Sequence, residues 1–109
     1  MEESPNKKCP VEYALAQISG KWRIMILKEL SQGPVRYGAI DRSIKGISAK
    51  VLVQHLREME EDGLVIRTIY PEVPPRVEYS LTELGRSLQP IHDAMWKWGE
   101  EYKAKLRDA

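Results

Sequence analysis

Near the middle of the chain, residues 48–63 form the segment Ser48-Ala49-Lys50-Val51-Leu52-Val53-Gln54-His55-Leu56-Arg57-Glu58-Met59-Glu60-Glu61-Asp62-Gly63. Ser48 can supply an N-cap oxygen and Gly63 can close the last turn, which predicts a helix from Ser48 to about Asp62. Successive residues of an α-helix advance by about 100°, so apolar residues converge on one side and anchor the helix to a core. These predicted anchors are Ala49, Leu52, Leu56 and Met59.

The opposite side of this helix carries Lys50, Gln54 and Arg57, with Val51 on its flank. Lys and Arg can donate to guanine, Gln can pair with adenine, and a small apolar side chain can touch a thymine methyl. Ser48 and the free N–H groups at the helix start can hold a phosphate. Acidic residues crowd the other end, so the N-terminal half is predicted to enter a DNA groove. The alternative is the solvated face of an ordinary amphipathic helix.

Three helices are predicted before this one. Pro10 suits a first helical turn and makes Cys9 the N-cap of the first helix. Apolar residues surround most of the segment from Lys21 to Ser31, which indicates a central, buried helix. A shorter pattern from Tyr37 to Ile44 predicts the third.

After Gly63 the residue types change, and two strand-like segments follow. The β-branched and aromatic residues 65–70 suit one strand, and the alternating residues 76–81 suit another, with prolines in the connection. Thr82 caps a final helical region, which Pro90 is expected to break or kink. The order predicts an α+β, mostly α fold: a winged helix-turn-helix with a two-stranded wing and a terminal dimerisation helix.

Length and composition agree with this order. A chain of 109 residues, 42% hydrophobic and 30% charged, is expected to form one folded domain over 1–109. Residues 1–8 are expected to be a flexible arm, and 82–109 to be terminal dimerisation helices. The apolar runs are too short for a membrane span, and the polar start does not resemble a signal peptide, so we expect a cytoplasmic protein without a membrane partner.

The net charge of +1 conceals a local excess of positive charge. Residues 21–57 contain eight basic and two acidic residues, a net charge of +6. Binding to nucleic acid depends on such local charge meeting phosphates, so double-stranded DNA is the expected partner. On the predicted hairpin, Arg67 and Arg76 could touch a phosphate or the minor groove; the alternative is pairing with Glu72 or Glu78.

Catalytic and metal-binding patterns are missing from the sequence. It has no glycine-rich phosphate loop, nucleophile elbow or His-Glu-x-x-His motif, so no enzyme activity is expected. His55 and His92 are far apart in the sequence and Cys9 is the single cysteine, so we expect neither a metal site nor a bound cofactor.

An apolar row in the terminal helical region predicts a dimer interface. A helix-turn-helix monomer contacts one half-site, so specific binding usually needs two copies. The alternative is that the row packs on its own core. Spacings of four, three, four, three and four join its members: Leu84, Leu88, Ile91, Met95, Trp98 and Tyr102.

Five ordered motifs between Cys9 and Tyr102 resemble the HxlR family of bacterial transcriptional regulators. They are Cys9-Pro10-Val11, Gly20-Lys21-Trp22, Gly46-Ile47-Ser48, residues 56–64 (LREMEEDGL) and residues 74–82 (PPRVEYSLT). The resemblance implies a homodimeric winged helix-turn-helix protein, related to MarR-type regulators, that represses or activates at inverted-repeat operators; we expect a repressor. It also implies that 48–62 is the recognition helix and that Arg67 to Arg76 frames the wing. The alternative is a winged-helix protein-interaction module without direct DNA binding.

Cys9 is the candidate regulatory thiol. The positive end of a helix dipole, together with Lys7 and Lys8, favours its thiolate form. Some regulators that resemble this chain sense electrophiles or oxidants through a cysteine before proline, so a small-molecule or oxidant effector is a possible partner. The alternative is an inert N-cap thiol.

Overall fold

The computed structural model describes residues 9–108. The predicted arm at 1–8, with Lys7 and Lys8, and the last residue of the chain therefore lie outside the described residues. The helices are α1 (Pro10–Ile18), α2 (Lys21–Glu29), α3 (Tyr37–Ser43), α4 (Ala49–Glu61), α5 (Glu83–Arg86) and α6 (Gln89–Asp108). The strands are β1 (Val35–Arg36), β2 (Val65–Tyr70) and β3 (Arg76–Leu81). This is the predicted winged helix-turn-helix.

The helix α4 begins and ends where its sequence predicts. Ser48 is the N-cap residue, and its Oγ accepts a hydrogen bond from the N–H of Val51 at 3.2 Å. At the other end, Gly63 has φ +80°, a left-handed conformation that favours glycine and stops the helix. Cys9 likewise occupies the N-cap of α1, with Pro10 as the first helical residue.

The predicted two-stranded wing is confirmed, and the sheet contains a third strand that the sequence did not predict. β2 and β3 form the predicted antiparallel hairpin, with Val65 opposite Leu81 and Tyr70 opposite Arg76. β1 adds to the free edge of β3, which gives the order β1-β3-β2. A two-residue strand has too few positions to show a period in sequence, and it is held by hydrogen bonds to a strand 40 residues away.

The core lies where α2, α3 and α4 meet the base of the sheet. Ile26, Ile40 and Leu52 are fully buried there, which confirms a central position for α2. Two predictions about these helices need correction. Ala49 is exposed and does not anchor α4, because it precedes the first residue that faces the core, and α2 ends at Glu29 rather than Ser31.

The terminal region consists of two helices, and the break between them agrees with the one expected at Pro90. Pro90 stands in the first turn of α6, and the break before it separates α5 from α6. Leu88, at this break, packs against the core of its own domain and leaves the predicted dimer row. Every residue of α6 is at least partly exposed, since the helix extends away from the core. Among residues 9–108, no helix combines the length and apolar character needed to cross a membrane.

Candidate DNA-binding surface

The exposed face of α4 brings together three of the side chains predicted to read DNA. Lys50, Gln54 and Arg57 line the same open surface of this helix, and Val53 lies between them. Val51 is half-buried and faces about 100° away from Lys50. The sequence interpretation missed Val53, which is 38% exposed, although its spacing from Lys50 and Arg57 placed it on this side. The face therefore offers cationic, amide and apolar groups together.

Gln54 and the N-cap residue Ser48 have hydrogen-bond partners within the helix. Gln54 Nε2 donates to Glu58 Oε2 at 3.4 Å, one turn along α4. The Ser48 hydroxyl accepts the Val51 N–H as an N-cap, so any phosphate that Ser48 meets must be bound by its O–H as donor.

On the wing, Arg67 and Arg76 have different environments. Arg67 is exposed and pairs in register with Tyr79 of β3. Burial raises the pKa of Tyr79, whereas the charge of Arg67 and a hydrogen bond from it lower this pKa, and the net direction is upward. Arg67 thus keeps one contact with the protein and a surface open to solvent.

Arg76 pairs with carboxylates of the wing, which was the alternative to a contact with DNA. Its Nη2 lies 2.9 Å from Glu72 Oε2 and its Nη1 lies 2.8 Å from Glu78 Oε2. The guanidinium also stacks over the ring of Tyr70, with 3.9 Å between Cζ and the ring centre. These contacts hold the tip of the wing together and neutralise two carboxylates that would otherwise repel a phosphate.

A groove of about 570 Å³ separates the wing from α4. Arg36 and Arg67 line it, together with Val53 from α4 and the proline-rich tip of the wing. Arg36 is exposed, and the sequence interpretation did not select it as a site residue. No local pattern marks it, because its position depends on the pairing of β1 with β3.

Part of the positive charge of residues 21–57 faces elsewhere. Arg23 is 9% exposed, and its Nη2 pairs with Asp62 Oδ2 at 3.0 Å. Lys28 Nζ lies over the ring of Trp96 in α6, 5.5 Å from its centre. The +6 of this segment therefore overestimates the charge available to DNA.

Exposed apolar side chains also lie on α1, α5 and α6. The predicted interface residues Ile91, Met95, Trp98 and Tyr102 are all exposed, and so is Leu84 on α5. Trp98, 65% exposed, stacks on Tyr102 with 5.1 Å between ring centres. On α1, Val11 and Leu15 are also exposed. Many large apolar side chains that are exposed on neighbouring turns are typical of an interaction site.

The candidate thiol of Cys9 is exposed at the start of α1. Its backbone N–H donates to Glu12 Oε1 at 3.4 Å, which places a carboxylate beside the cysteine. Within the part of the chain that the structure describes, His, Cys, Asp and Glu side chains form no group of three or more that could hold a metal ion.

We call the exposed face of α4 with Lys50, Gln54 and Arg57 the reading face. Together with the three-helix core and the wing, it defines a winged helix-turn-helix transcriptional regulator. The model of the HxlR-like helix-turn-helix family matches residues 17–107. The chain belongs to this family, as its motifs predicted.

Individual relatives agree with this assignment. An uncharacterised HTH-type transcriptional regulator of Methanothermobacter thermautotrophicus is 49% identical over 94 residues, covering 86% of this chain and 72% of that protein. The redox regulator HypR in its reduced form is similar with a TM-score of 0.85 and 42% identity, covering 93% of this chain and 100% of that one. The oxidised form of HypR is similar with a TM-score of 0.78 and 45% identity, covering 85% of this chain and 96% of that one. The reduced form of the transcriptional regulator YodB from B. subtilis is similar with a TM-score of 0.79 and 35% identity, covering 87% of this chain and 94% of that one.

Proposed function

We propose that this chain is a sequence-specific DNA-binding repressor that binds an inverted-repeat operator as a homodimer. The observation that carries the proposal is the common exposure of Lys50, Gln54 and Arg57 on one face of α4. Side chains of these types, on the outer face of the second helix of a helix-turn-helix, suit the major groove. The acidic end of α4 then points away from the phosphates.

Contacts to the DNA backbone would come from both sides of the reading face. Ser48 and the helix start bind one phosphate, and Arg67 with Arg36 bind another beside the wing groove. Val51, half-buried on the flank of α4, touches a thymine methyl at the edge of the major groove. Arg76 acts mainly by holding the wing tip in shape, because its guanidinium already pairs with Glu72 and Glu78.

The homodimer is supported by the exposed apolar faces of α1 and α6. Ile91, Met95, Trp98 and Tyr102 recur along one side of α6, and two copies of this side would cover each other. Two recognition helices held in this way contact half-sites about 34 Å apart, one turn of DNA.

The test is binding to a duplex from the region upstream of the chain's own gene. The wild-type protein should bind specifically, and its affinity should fall steeply with added salt. Lys50→Ala combined with Arg57→Ala should abolish specific binding. The matched control is Lys97→Ala combined with Lys103→Ala, which removes two exposed charges from α6 and should leave binding nearly unchanged. Salt-insensitive or absent binding of the wild type would favour the protein-interaction module instead.

The sign of regulation needs its own measurement. Transcription in vitro from a template that carries the bound duplex should fall when the protein is added. A rise in transcript would make the chain an activator while leaving its DNA binding intact.

Cys9 is proposed as the effector site of this repressor. Two observations support it: the thiol is exposed at a helix start, and HypR and YodB, which are similar in structure, have been solved in defined redox forms. A quinone would add to Sγ, forming a C–S bond while the thiol proton passes to a quinone oxygen. We expect treated wild type to lose operator affinity and Cys9→Ser to bind equally before and after treatment. An unchanged response in Cys9→Ser would exclude the thiol.

A further inference from the structure

Arg23 occupies an unusual place for a cation, because it is buried at the point where three helices meet. From α2, its Nη2 pairs with Asp62 Oδ2 at 3.0 Å, beyond the end of α4. Its Nη1 donates to Gln17 Oε1 of α1 at 2.9 Å. The two-nitrogen fork of one guanidinium thus connects α1 to the C-terminal end of the recognition helix, a geometry that the single ammonium of lysine cannot reproduce.

The C-terminal end of α4 needs such a partner. Residues 58–62 contain four acidic side chains and no basic one, at the end of the helix where the dipole is already negative. Arg23 supplies the missing cation from α2. Since a helix end with uncompensated negative charge is unfavourable, the position of this end depends on the guanidinium.

The same arginine also reaches the reading face. Its Nη2 lies 3.7 Å from Glu58 Oε1, and the other oxygen of Glu58 accepts the hydrogen bond from Gln54 Nε2. His55 Nδ1, 4.0 Å from Glu58 Oε1, borders this group on α4. A continuous chain of polar contacts therefore runs from Gln17 through Arg23 and Glu58 to Gln54.

We propose that Arg23 is a positioning residue that fixes the recognition helix against α1 and orients Gln54 for base reading. Gln17 belongs to the helix that carries Cys9 and the exposed Val11 and Leu15, so a shift of α1 would pass through Arg23 to the DNA face. The inference rests on the proposed DNA-binding function. It adds a route from the α1 surface to base selection.

The experiment compares Arg23→Lys, Gln17→Ala and the double variant. Arg23→Lys keeps the charge and loses the fork, so operator affinity should fall about tenfold while affinity for unrelated DNA stays the same. The base-pair preference that weakens should be the one lost in Gln54→Ala. Gln17→Ala removes a half-buried amide and keeps the Arg23–Asp62 pair, so it should fold and show a smaller loss. The double variant should bind no worse than Arg23→Lys, because Gln17 acts through Arg23.

The control for stability is Ile26→Val, a fully buried position on the same helix outside this chain of contacts. The inference is wrong, and Arg23 merely stabilises the fold, if Ile26→Val weakens specific binding as much as Arg23→Lys does. It is also wrong if the losses of affinity in Arg23→Lys and Gln17→Ala add in the double variant.

A second measurement needs no DNA. Amide hydrogen exchange in the last turn of α4 and in α1 should be faster in Arg23→Lys than in Ile26→Val. Absence of operator binding by the wild type would refute the proposed function, and the exchange data would still decide whether Arg23 ties α1 to α4. Equal exchange in the two variants would overturn that tie.

Discussion

The side-chain amide of Gln54 donates to Glu58 at 3.4 Å, across one turn of α4. This distance lies beyond the usual range for an N–H···O hydrogen bond, so the bond is weak and Gln54 can exchange it for a base at little cost. The carboxylate therefore orients the amide only loosely on this face of α4. Under the proposed function, Gln54 has only a weak internal hydrogen bond to give up when it meets a base.

We expect Gln54→Ala to relax discrimination at one base pair of each half-site. The loss should be about 1–3 kcal/mol, because a bidentate contact between Gln and adenine disappears while the phosphate contacts remain. Competition with operators substituted at single positions measures this value. Arg67→Ala is the contrasting variant: it should weaken all sequences alike and reduce the slope of log affinity against log salt by about 1. A uniform loss in Gln54→Ala would show that Gln54 does not read a base.

We expect Trp98→Glu to convert the protein to a monomer. Trp98 is 65% exposed on the apolar side of α6, and a carboxylate there cannot be buried against a second copy without a large desolvation cost. Sedimentation at micromolar concentration distinguishes dimer from monomer. Arg107→Glu also introduces a carboxylate, on the opposite side of α6, and should leave the dimer intact. If both variants sediment like the wild type, the interface lies elsewhere.

Gly85 and Gly99 provide a matched pair for stability. A Cβ at Gly85 would collide with the backbone carbonyl oxygen of Leu64 and approach Leu81 Cδ2 to 3.3 Å. Gly85→Ala should therefore lower the free energy of unfolding by about 1–3 kcal/mol. At Gly99 of α6 an added Cβ meets nothing within 4 Å, so Gly99→Ala should raise the free energy by up to about 1 kcal/mol. Urea denaturation measures both; equal effects would contradict the packing at Gly85.

The stability of the fold should decrease in alkali because of Tyr79. Burial raises the pKa of this phenol above its ordinary value of 10.0. A raised pKa in the folded state means that its contribution is complete below pH 10 and is lost as pH rises through the folded-state value. The free energy of unfolding should thus fall above pH 10 in the wild type and fall less in Tyr79→Phe. Tyr102→Phe, at an exposed position, is the control and should follow the wild type.

Local signals were enough to predict most elements of this fold. The N-cap at Ser48, the stop at Gly63 and the two strands of the hairpin lie where their residues predicted them, with both strands matching at 65–70 and 76–81. Each of these signals acts within a few residues of the chain. Capping, glycine conformation and alternation of apolar residues are therefore visible without knowledge of the rest of the molecule.

The order of the helices and of the hairpin, the helix that carries Lys50, Gln54 and Arg57, and the family could all be predicted from sequence alone. The addition of β1 to the sheet, the partners of Arg76 and the choice of cations that stay exposed depend on contacts between distant segments. Arg23 shows the reason. On its own helix it is one more basic residue, and its role follows from Gln17 and Asp62, which come near it only when α1 and α4 pack against α2. The net charge of a segment can be counted from its sequence, whereas the partner of each charged side chain depends on how the helices pack.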